Sequence, residues 1–459
     1  MRDVLFVRKI CAVTVAAALA GCVLTPPPAA GDLQKQALAN TTVPGSWKSG
    51  GSAAAVTERW LATFNDPALS ALVDEALQYN ADLQTAAARV ERAAGFLKVA
   101  SASLQPSVTA IGIAGSKSGG GGGLEGVFLN ASLELDVWGR VRYGQSAAEE
   151  DAAAFAADYA YARQSLAAMV AKSWFVAIEA GLQRSINQEM LRSAGSLLNL
   201  AQERMRIGNG NEQAVADARA TLANYHDAMR QIELSREQAL RALESLLGRY
   251  PAAEIKVAER FSPMPGSVPA GMPSQLLERR PDVVAAERRV AAAFNRVGEA
   301  RAAQLPRISL TAGGSDVSSD LIVLKNIDNP VWSLGANLIA PLYQGGALRA
   351  QVEIRSAEQK QAVAQYASAG LRAFGDVESA LAAERTLRER AVILDAAVRD
   401  NERALELSQT QYRVGNADLR AVEQRRLALY AARTSWLRVQ SEQLAQRVNL
   451  HLALGGGFE

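Results

Sequence analysis

The chain of 459 residues has only two cysteines and two histidines. Cys11 and Cys22 both lie near the N-terminus, so no disulfide framework staples the body of the protein. His226 and His451 are too few for a histidine-based metal site and leave a Ser-His-Asp arrangement unsupported. Aromatic residues make up only 6% of the chain and alanine is abundant, a bias that suits long, closely packed helices rather than a thick mixed core. Charge of one sign is also lacking. The net charge is +2, and Arg2, Asp3, Arg8 and Lys9 account for all of it. The remainder is near neutral, which excludes a general nucleic-acid or anionic-membrane surface. Beyond the N-terminus no segment carries the ~18 uninterrupted apolar residues of a transmembrane helix, so a membrane role has to come through a lipid or through β-strands. With 49% apolar and 21% charged residues, the chain is not a disordered tail.

The N-terminus reads as an address. Arg2, Arg8 and Lys9 form a basic region, and Ile10 to Leu19 an apolar one. The apolar run is too short for a stable anchor, which needs about 20 residues. Leu19-Ala20-Gly21-Cys22 then resembles the lipobox of bacterial lipoproteins in spacing and position. That resemblance implies cleavage after residue 21, a diacylglycerol on the Cys22 thiol and an acyl chain on its new amine. Several chains anchor firmly where one would not. Val23 stands where an aspartate would signal retention in the inner membrane. Thr25-Pro26-Pro27-Pro28-Ala29-Ala30-Gly31 reads as a stiff, extended tether.

The body of the chain is duplicated. Asp82 and Asp282, Val90 and Val290, and Pro106 and Pro306 are all 200 residues apart. Further on the offset is 207: Arg142 matches Arg349, Arg206-Ile207-Gly208 matches Arg413-Val414-Gly415, and Leu247-Gly248 matches Leu454-Gly455. The change falls between residues 106 and 142, so one loop there is seven residues longer in the second copy. Such register over two long stretches marks an internal repeat. Each copy predicts a helical lead-in (68–104, then 274–304) ended by a proline, two strand-like segments, and a long helix from Arg140 to Arg206 or from Ala347 to Arg413. A turn follows at Gly208-Asn209-Gly210-Asn211 and at Gly415-Asn416-Ala417-Asp418, and a further helix runs to Leu247 or Leu454. At about 1.5 Å per residue the longest helices would reach roughly 100 Å, more than any globular core needs.

The strand segments alternate. From Val127 to Asp136 the odd positions are apolar and the even ones mostly polar; Trp332, Leu334, Ala336 and Leu338 alternate with Ser333, Gly335 and Asn337. Such alternation over ~10 residues fits a tilted transmembrane strand, and equally a half-buried soluble sheet. If the strands cross a membrane, four cannot close a barrel and an open edge in lipid is forbidden, so protomers must share one. Geometry alone does not choose between two protomers and three.

Several ordered motifs resemble the outer membrane factor family, of TolC/OprM type, and in particular its NodT-like lipoproteins. They include Leu276-Leu277-Glu278-Arg279-Arg280-Pro281-Asp282-Val283, Ala302-Ala303-Gln304-Leu305-Pro306-Arg307, Ala340-Pro341-Leu342-Tyr343-Gln344-Gly345-Gly346 and Ala373-Phe374-Gly375-Asp376-Val377-Glu378. In the first copy, Trp60 with Phe64-Asn65-Asp66-Pro67 and Asp136-Val137-Trp138-Gly139-Arg140 match as well. The resemblance covers about residues 44–457. It implies a mainly α fold with a small β part. Coiled-coil-like helices form a trans-periplasmic α-barrel, and four strands per protomer contribute to a 12-stranded outer-membrane β-barrel shared by a homotrimer. It further implies an exit duct lying in outer-membrane lipid, passive itself, that partners a periplasmic adaptor and an inner-membrane RND transporter. No cofactor beyond the Cys22 lipid, no nucleic acid and no enzymatic activity are expected. The expected segments are a signal peptide (1–21), a lipidated tether with an equatorial segment (22–65), the first efflux repeat (66–248), an equatorial linker (249–273) and the second repeat with the C-terminus (274–459).

In the family the tip turns meet the adaptor and nearby charges hold the closed gate, which points to Arg206, Gly208 and Asn209 in the first copy and Arg413, Gly415, Asp418 and Arg420 in the second. Plain helix capping would use the same residue types. Where the family shows a leucine-aspartate-alanine-glutamine run after the second turn, this chain has Glu423-Gln424-Arg425-Arg426, so a gate built on that aspartate does not carry over. Gly119 to Gly123 lacks the Gly-Lys-Ser/Thr of a phosphate loop and reads as an exposed hairpin loop. Glu134 and Asp136 alternate along one strand and read as a solvated face rather than an acid/base pair. The competing readings are a lipidated periplasmic adaptor, which would show one helical hairpin instead of two, a structural coiled-coil protein, and a lipidated enzyme, which would need a nucleophile elbow. A Cys22→Ser variant should be unlipidated and mislocalised; normal incorporation of radiolabelled palmitate into it would refute the lipobox reading.

Overall fold

The computed structural model describes residues 24–56, 58–115, 124–319 and 331–458. Cys22 and the Gly119–Gly123 run lie outside the described residues. In chain order the elements are α1 (Ala30–Ala37), a 3-10 turn (Trp60–Phe64), α2 (Pro67–Tyr79), α3 (Ala81–Ala102), β1 (Ser107–Ile113), β2 (Leu124–Leu135), α4 (Arg140–Arg206) and α5 (Glu212–Leu246). The second half supplies α6 (Pro273–Arg279), α7 (Pro281–Ala302), β3 (Arg307–Ser319), β4 (Val331–Ile339), α8 (Ala347–Arg413) and α9 (Leu419–Ala453).

The repeat is visible in the helix lengths. α3 and α7 each have 22 residues, α4 and α8 each have 67, and α5 and α9 each have 35. The lead-in is not one helix, as the sequence predicts, but two. Pro281 forces Arg280 into an extended conformation (ψ 117°), which splits α6 from α7. In the first copy Asn80 takes a similar conformation, and its side chain accepts a hydrogen bond from Leu83 N at 3.0 Å, starting α3. The tether also differs from expectation. Ala30 and Gly31 already belong to α1, Thr25 N donates to the Tyr143 hydroxyl at 3.0 Å, and Leu33 is buried.

The chain divides into two compact units, with the boundaries inside α4 and α8 falling after Ala157 and Ala369. The first unit holds a four-stranded antiparallel sheet in the order β1-β2-β3-β4, with one hairpin from each repeat. The β2–β3 register sets Leu129 against Gly314, Ala131 against Ala312 and Leu133 against Leu310. Carried to the outer strands, one row reads Val108, Ala131, Ala312, Leu334, and the next Ala110, Leu129, Gly314, Trp332. Below them come Leu133, Leu310, Ala336 and then Leu135, Ile308, Leu338. Over these four rows one face of the sheet is therefore apolar, because side chains alternate with a period of two. A half-buried soluble sheet would cover that face, yet Leu334 is 88% exposed, Trp332 74% and Val108 71%. At its base β2 passes into α4 through Asp136, whose carboxylate accepts from Val141 N and Arg142 N at 2.9 Å each, while Arg140 pairs with Glu134 at 2.8 Å.

The second unit carries the main core, in which Trp60, Phe64, Trp174, Phe175, Leu240 and Leu243 are all buried. Asp66 organises it: Oδ1 caps α2 at Leu69 N (3.0 Å), and Oδ2 accepts from Trp174 Nε1 (2.9 Å) and Ser262 Oγ (3.1 Å). A stretch of α4 is apolar enough to cross a membrane by length and composition, and this core accounts for it: Leu166, Val170, Trp174 and Ile178 are all buried here. The linker between repeats is pinned by buried Glu244, which accepts from Ala253 N, Glu254 N and Ile255 N, and by Arg447, which donates to Pro265 O and pairs with Glu384 at 2.6 Å.

His451 stacks on Trp60 at 5.7 Å, and burial, aided by the Arg447 charge, pushes its pKa down to about 4. An unfolded histidine titrates near 6.5, so below that pH the unfolded chain takes up a proton that the folded one refuses. Stability should therefore fall between pH 6.5 and about 4, by about 3 kcal/mol, and the loss from this group should end below that range. Urea melts in detergent at pH 7 and 4.5 test this: His451→Phe keeps the stack and should show a smaller acid loss, and an unchanged loss would exclude the histidine as its source.

Candidate functional site

The two helical tips close in the same way. Gly208 (φ 76°) and Gly415 (φ 83°) adopt the left-handed conformation that ends α4 and α8. Asn209 N donates to Arg204 O and Asn416 N to Gln411 O, both at 2.8 Å, the long-range bond of a Schellman closure. Gly210 is needed for space, since a Cβ there would lie 2.8 Å from Met205 N. The next helix of each hairpin is then capped by its own side chain. Asn211 Oδ1 accepts from Ala214 N and Asp418 Oδ1 from Ala421 N, each at 2.8 Å. Asn211 and Asp418, which differ between the copies, thus do the same local work.

The sequence-predicted charges divide into two groups. Arg206 pairs with Glu203 at 2.9 Å, and Arg413 donates to Thr410 Oγ1 at 3.2 Å; both contacts stay within one helix. Arg420 crosses between the hairpins to Asp217 at 3.3 Å. That pair is more than half exposed, a setting in which an ion pair is worth well under about 1 kcal/mol.

The firmer links between hairpins come from residues the motif reading missed. The Arg204 guanidinium lies 3.9 Å from the centre of the Tyr412 ring and donates to Tyr412 O at 3.3 Å. Around it Leu197, Ala201, Val215, Tyr412, Leu419 and Val422 form an apolar cluster drawn from all four tip helices. Arg433 of α9 pairs with Glu189 of α4 (2.8 Å) and Glu402 of α8 (2.7 Å). Between α5 and α9 runs an open groove of about 590 Å³, lined among others by Asp217, Thr221, Asp418, Arg420 and Glu423.

Deeper still, Glu423 and Arg426 form a buried pair at 2.9 Å. Burial raises the Glu423 pKa against the pull of Arg426, and burial lowers that of Arg426. Tyr225 packs edge-to-face on Tyr430 at 5.7 Å; burial, then the Glu423 charge, push its hydroxyl up to about 12. Asn187 Nδ2 donates to Tyr225 O at 3.0 Å. Glu423 Oε2, Tyr225 Oη and Asn187 Oδ1 are buried without a hydrogen-bond partner among the described residues. The chain thus keeps a carboxylate next to the second tip despite its departure from the family run. The clue lay in the spacing: Glu423 and Arg426 sit three residues apart among the buried Leu419, Val422 and Leu429.

Comparison with known proteins agrees with this architecture. A family profile described as "Outer membrane efflux protein" matches residues 72–249 and 272–456. The chain is similar to the pyoverdine export outer membrane protein OpmQ of Pseudomonas putida (30% identical, covering 98% of each chain). It is also similar to the cation efflux system protein CusC of Escherichia coli (31% identical, covering 87% of this chain and 88% of the relative). Among solved structures, the outer-membrane channel OprN superposes with a TM-score of 0.80 (26% identity, covering 91% of this chain and 97% of that one). The open state of the Neisseria gonorrhoeae MtrE channel gives 0.81 (28% identity, 95% and 98%).

A double-mutant cycle of Arg204→Ala with Tyr412→Leu, read by urea unfolding, should return a coupling of about 1 kcal/mol. The pair Arg206→Ala with Arg413→Ala should return none, and a larger coupling there would overturn the assignment of the inter-hairpin contact.

Proposed function

We propose a specific role for this chain, which belongs to the outer membrane efflux protein family and is an outer-membrane channel of TolC-like fold. It is the passive exit duct of a tripartite, RND-type pump, assembled as a homotrimer and held to the membrane by lipid on Cys22. A periplasmic adaptor meets the tips at Gly208, Asn209 and Gly415, and an inner-membrane transporter supplies the energy. The duct itself is not an enzyme and needs no cofactor.

The observation that carries this reading is the sheet. Its apolar face is uncovered, and among the described residues β1 and β4 each have a partner on one side only. In lipid an unpaired strand edge leaves its backbone groups without partners, at several kcal/mol each. Pairing β4 of one copy with β1 of the next removes every edge. Three copies of four strands give twelve, enough to surround an aqueous lumen.

Gating belongs to the tips. The gate residues are Arg206, Arg413, Asp418 and Arg420, joined by Arg204, Tyr412, Glu423 and Arg426. Opening exchanges the Arg204–Tyr412 and Arg420–Asp217 contacts for contacts with the adaptor. Relatives with the same fold export different cargo, pyoverdine for OpmQ and cations for CusC, as their names state. That spread supports a duct whose selectivity is set largely by the pump.

Light scattering in detergent should give the mass of three protomers, and a stable monomer would contradict the shared barrel. In planar bilayers the oligomer should conduct ions. Asp418→Ala removes the cap of α9, worth about 1 kcal/mol, and should raise conductance by loosening the tip.

A further inference from the structure

The face of the sheet opposite the apolar one is not uniform along the strands. β1 and β3 rise from their helices, while β2 and β4 descend toward theirs, so each position has a height above the helix junctions. At the base this face carries Glu134 of β2, Arg307 of β3 and, opposite Arg307, Ile339 of β4. At mid-height it is neutral and polar: Thr109 stands opposite Asn130, and Ser107 opposite Ser132, with their hydroxyls 2.8 Å apart. In the upper part the pattern changes. Ile111 stands directly opposite Phe128, and Ile113 stands opposite Gly126, which has no side chain to cover it. Ile111 is 50% and Ile113 41% exposed, so the core does not absorb them. Phe128 lies six positions above Glu134, roughly 20 Å along the strand.

We propose that Ile111, Ile113 and Phe128 form an apolar collar inside the outer half of the barrel, and that this collar favours cargo bearing an apolar face over hydrated ions. The inference rests on the trimeric-duct reading, which turns this face toward the lumen. The trio recurs once per protomer, so three copies form a band around the lumen two residue positions deep. The physical reason is a difference in wetting. Polar side chains at mid-height replace part of an ion's hydration shell, whereas an isoleucine–phenylalanine surface replaces none of it. An aromatic or aliphatic cargo surface gains where the ion does not. Withdrawing about 60 Å² of apolar surface from water changes occupancy roughly tenfold. Cargo inside the barrel has already left the pump, so this would be a contact the duct makes on its own account. At the base Glu134 is paired with Arg140, and Ile339 stands opposite Arg307 rather than opposite another apolar side chain, so no facing apolar pair forms there.

The test uses the assembled oligomer in planar bilayers and two organic cations of equal charge, tetraphenylphosphonium and tetramethylammonium. The native protein should be blocked by the aromatic cation at about tenfold lower concentration than by the aliphatic one. Phe128→Ser combined with Ile111→Ser should abolish that preference, and Phe128→Leu should keep most of it. Asn130→Phe, on the same face two positions lower, should strengthen it, and this variant tests the collar even if the double serine variant fails to assemble. A preference that survives the serine substitutions, or one that Asn130→Phe leaves unchanged, overturns the collar. An assembled oligomer with no conductance at all instead overturns the duct reading on which the collar depends.

Discussion

The constraint on which this protein depends is the cost of an unpaired backbone in lipid. A four-stranded sheet with an apolar face can face hydrocarbon, but its two edges cannot. Nothing within one copy covers β1 or β4 among the described residues. The duplicated hairpin is therefore the physical ground for the proposed oligomer. Each repeat brings two strands, the central β2–β3 pair joins the repeats, and the remaining two edges are the ones the proposed oligomer would pair. The same constraint accounts for the composition. The outward rows need only apolar side chains and glycine, so Ala131, Ala312, Gly314 and Ala336 serve as well as leucine.

The helices obey a stricter rule than the strands. Helices of 22, 67 and 35 residues are reproduced to the residue in the second copy, whereas the strand region differs by seven. Helices that pack side by side over many turns lose register along their whole length if one gains a residue, because the facing stripe rotates by 100°. The sequence places all seven in one loop, but the structure divides them: β3 through β4 spans four residues more than β1 through β2, and the connection from β4 to α8 is three residues longer than that from β2 to α4. Both are connecting segments, which can lengthen without moving the ladder. The copies diverged where length is free and stayed matched where length sets packing.

Much of this was legible in the sequence because it rests on period and spacing. Alternation alone places Leu129, Leu133 and Leu310 on one face, and the offset of 207 alone matches Arg206 with Arg413 and Gly208 with Gly415. The splitting of the lead-in helix was half legible: Pro281 announces it in the second copy, while Asn80 in the first achieves it with a cap that composition does not flag. The tip contacts were not legible. Arg204 and Arg206 look alike in sequence, yet only the first turns toward the other hairpin. Two positions on a helix are 200° apart, and which of them faces a partner depends on where that partner sits. Glu423 and Arg426 were hidden for a related reason. Their departure from the family run drew attention to what was missing rather than to the buried stripe that holds them.

The second unit contains two kinds of buried charge, and their contrast bears on how the channel moves. Around the linker, Glu244 accepts three backbone N–H groups. Near the tips Glu423 pairs with Arg426, and its Oε2, the Tyr225 hydroxyl and Asn187 Oδ1, on three different helices, have no hydrogen-bond partner among the described residues. A buried carboxylate with full hydrogen bonding is costly to disturb, because moving it strands several groups at once. A half-satisfied cluster already bears part of that cost and loses less when its helices slide apart. An unpaired buried polar group costs roughly 1–3 kcal/mol, so three of them amount to a substantial local destabilisation. Conformational changes draw on such low-stability regions. Glu244 at the linker is fully hydrogen-bonded, and the tip cluster is the less costly of the two to rearrange. On the proposed gating at the tips, the incompleteness of the Glu423–Arg426–Tyr225 cluster counts as much as any single ion pair across the hairpins.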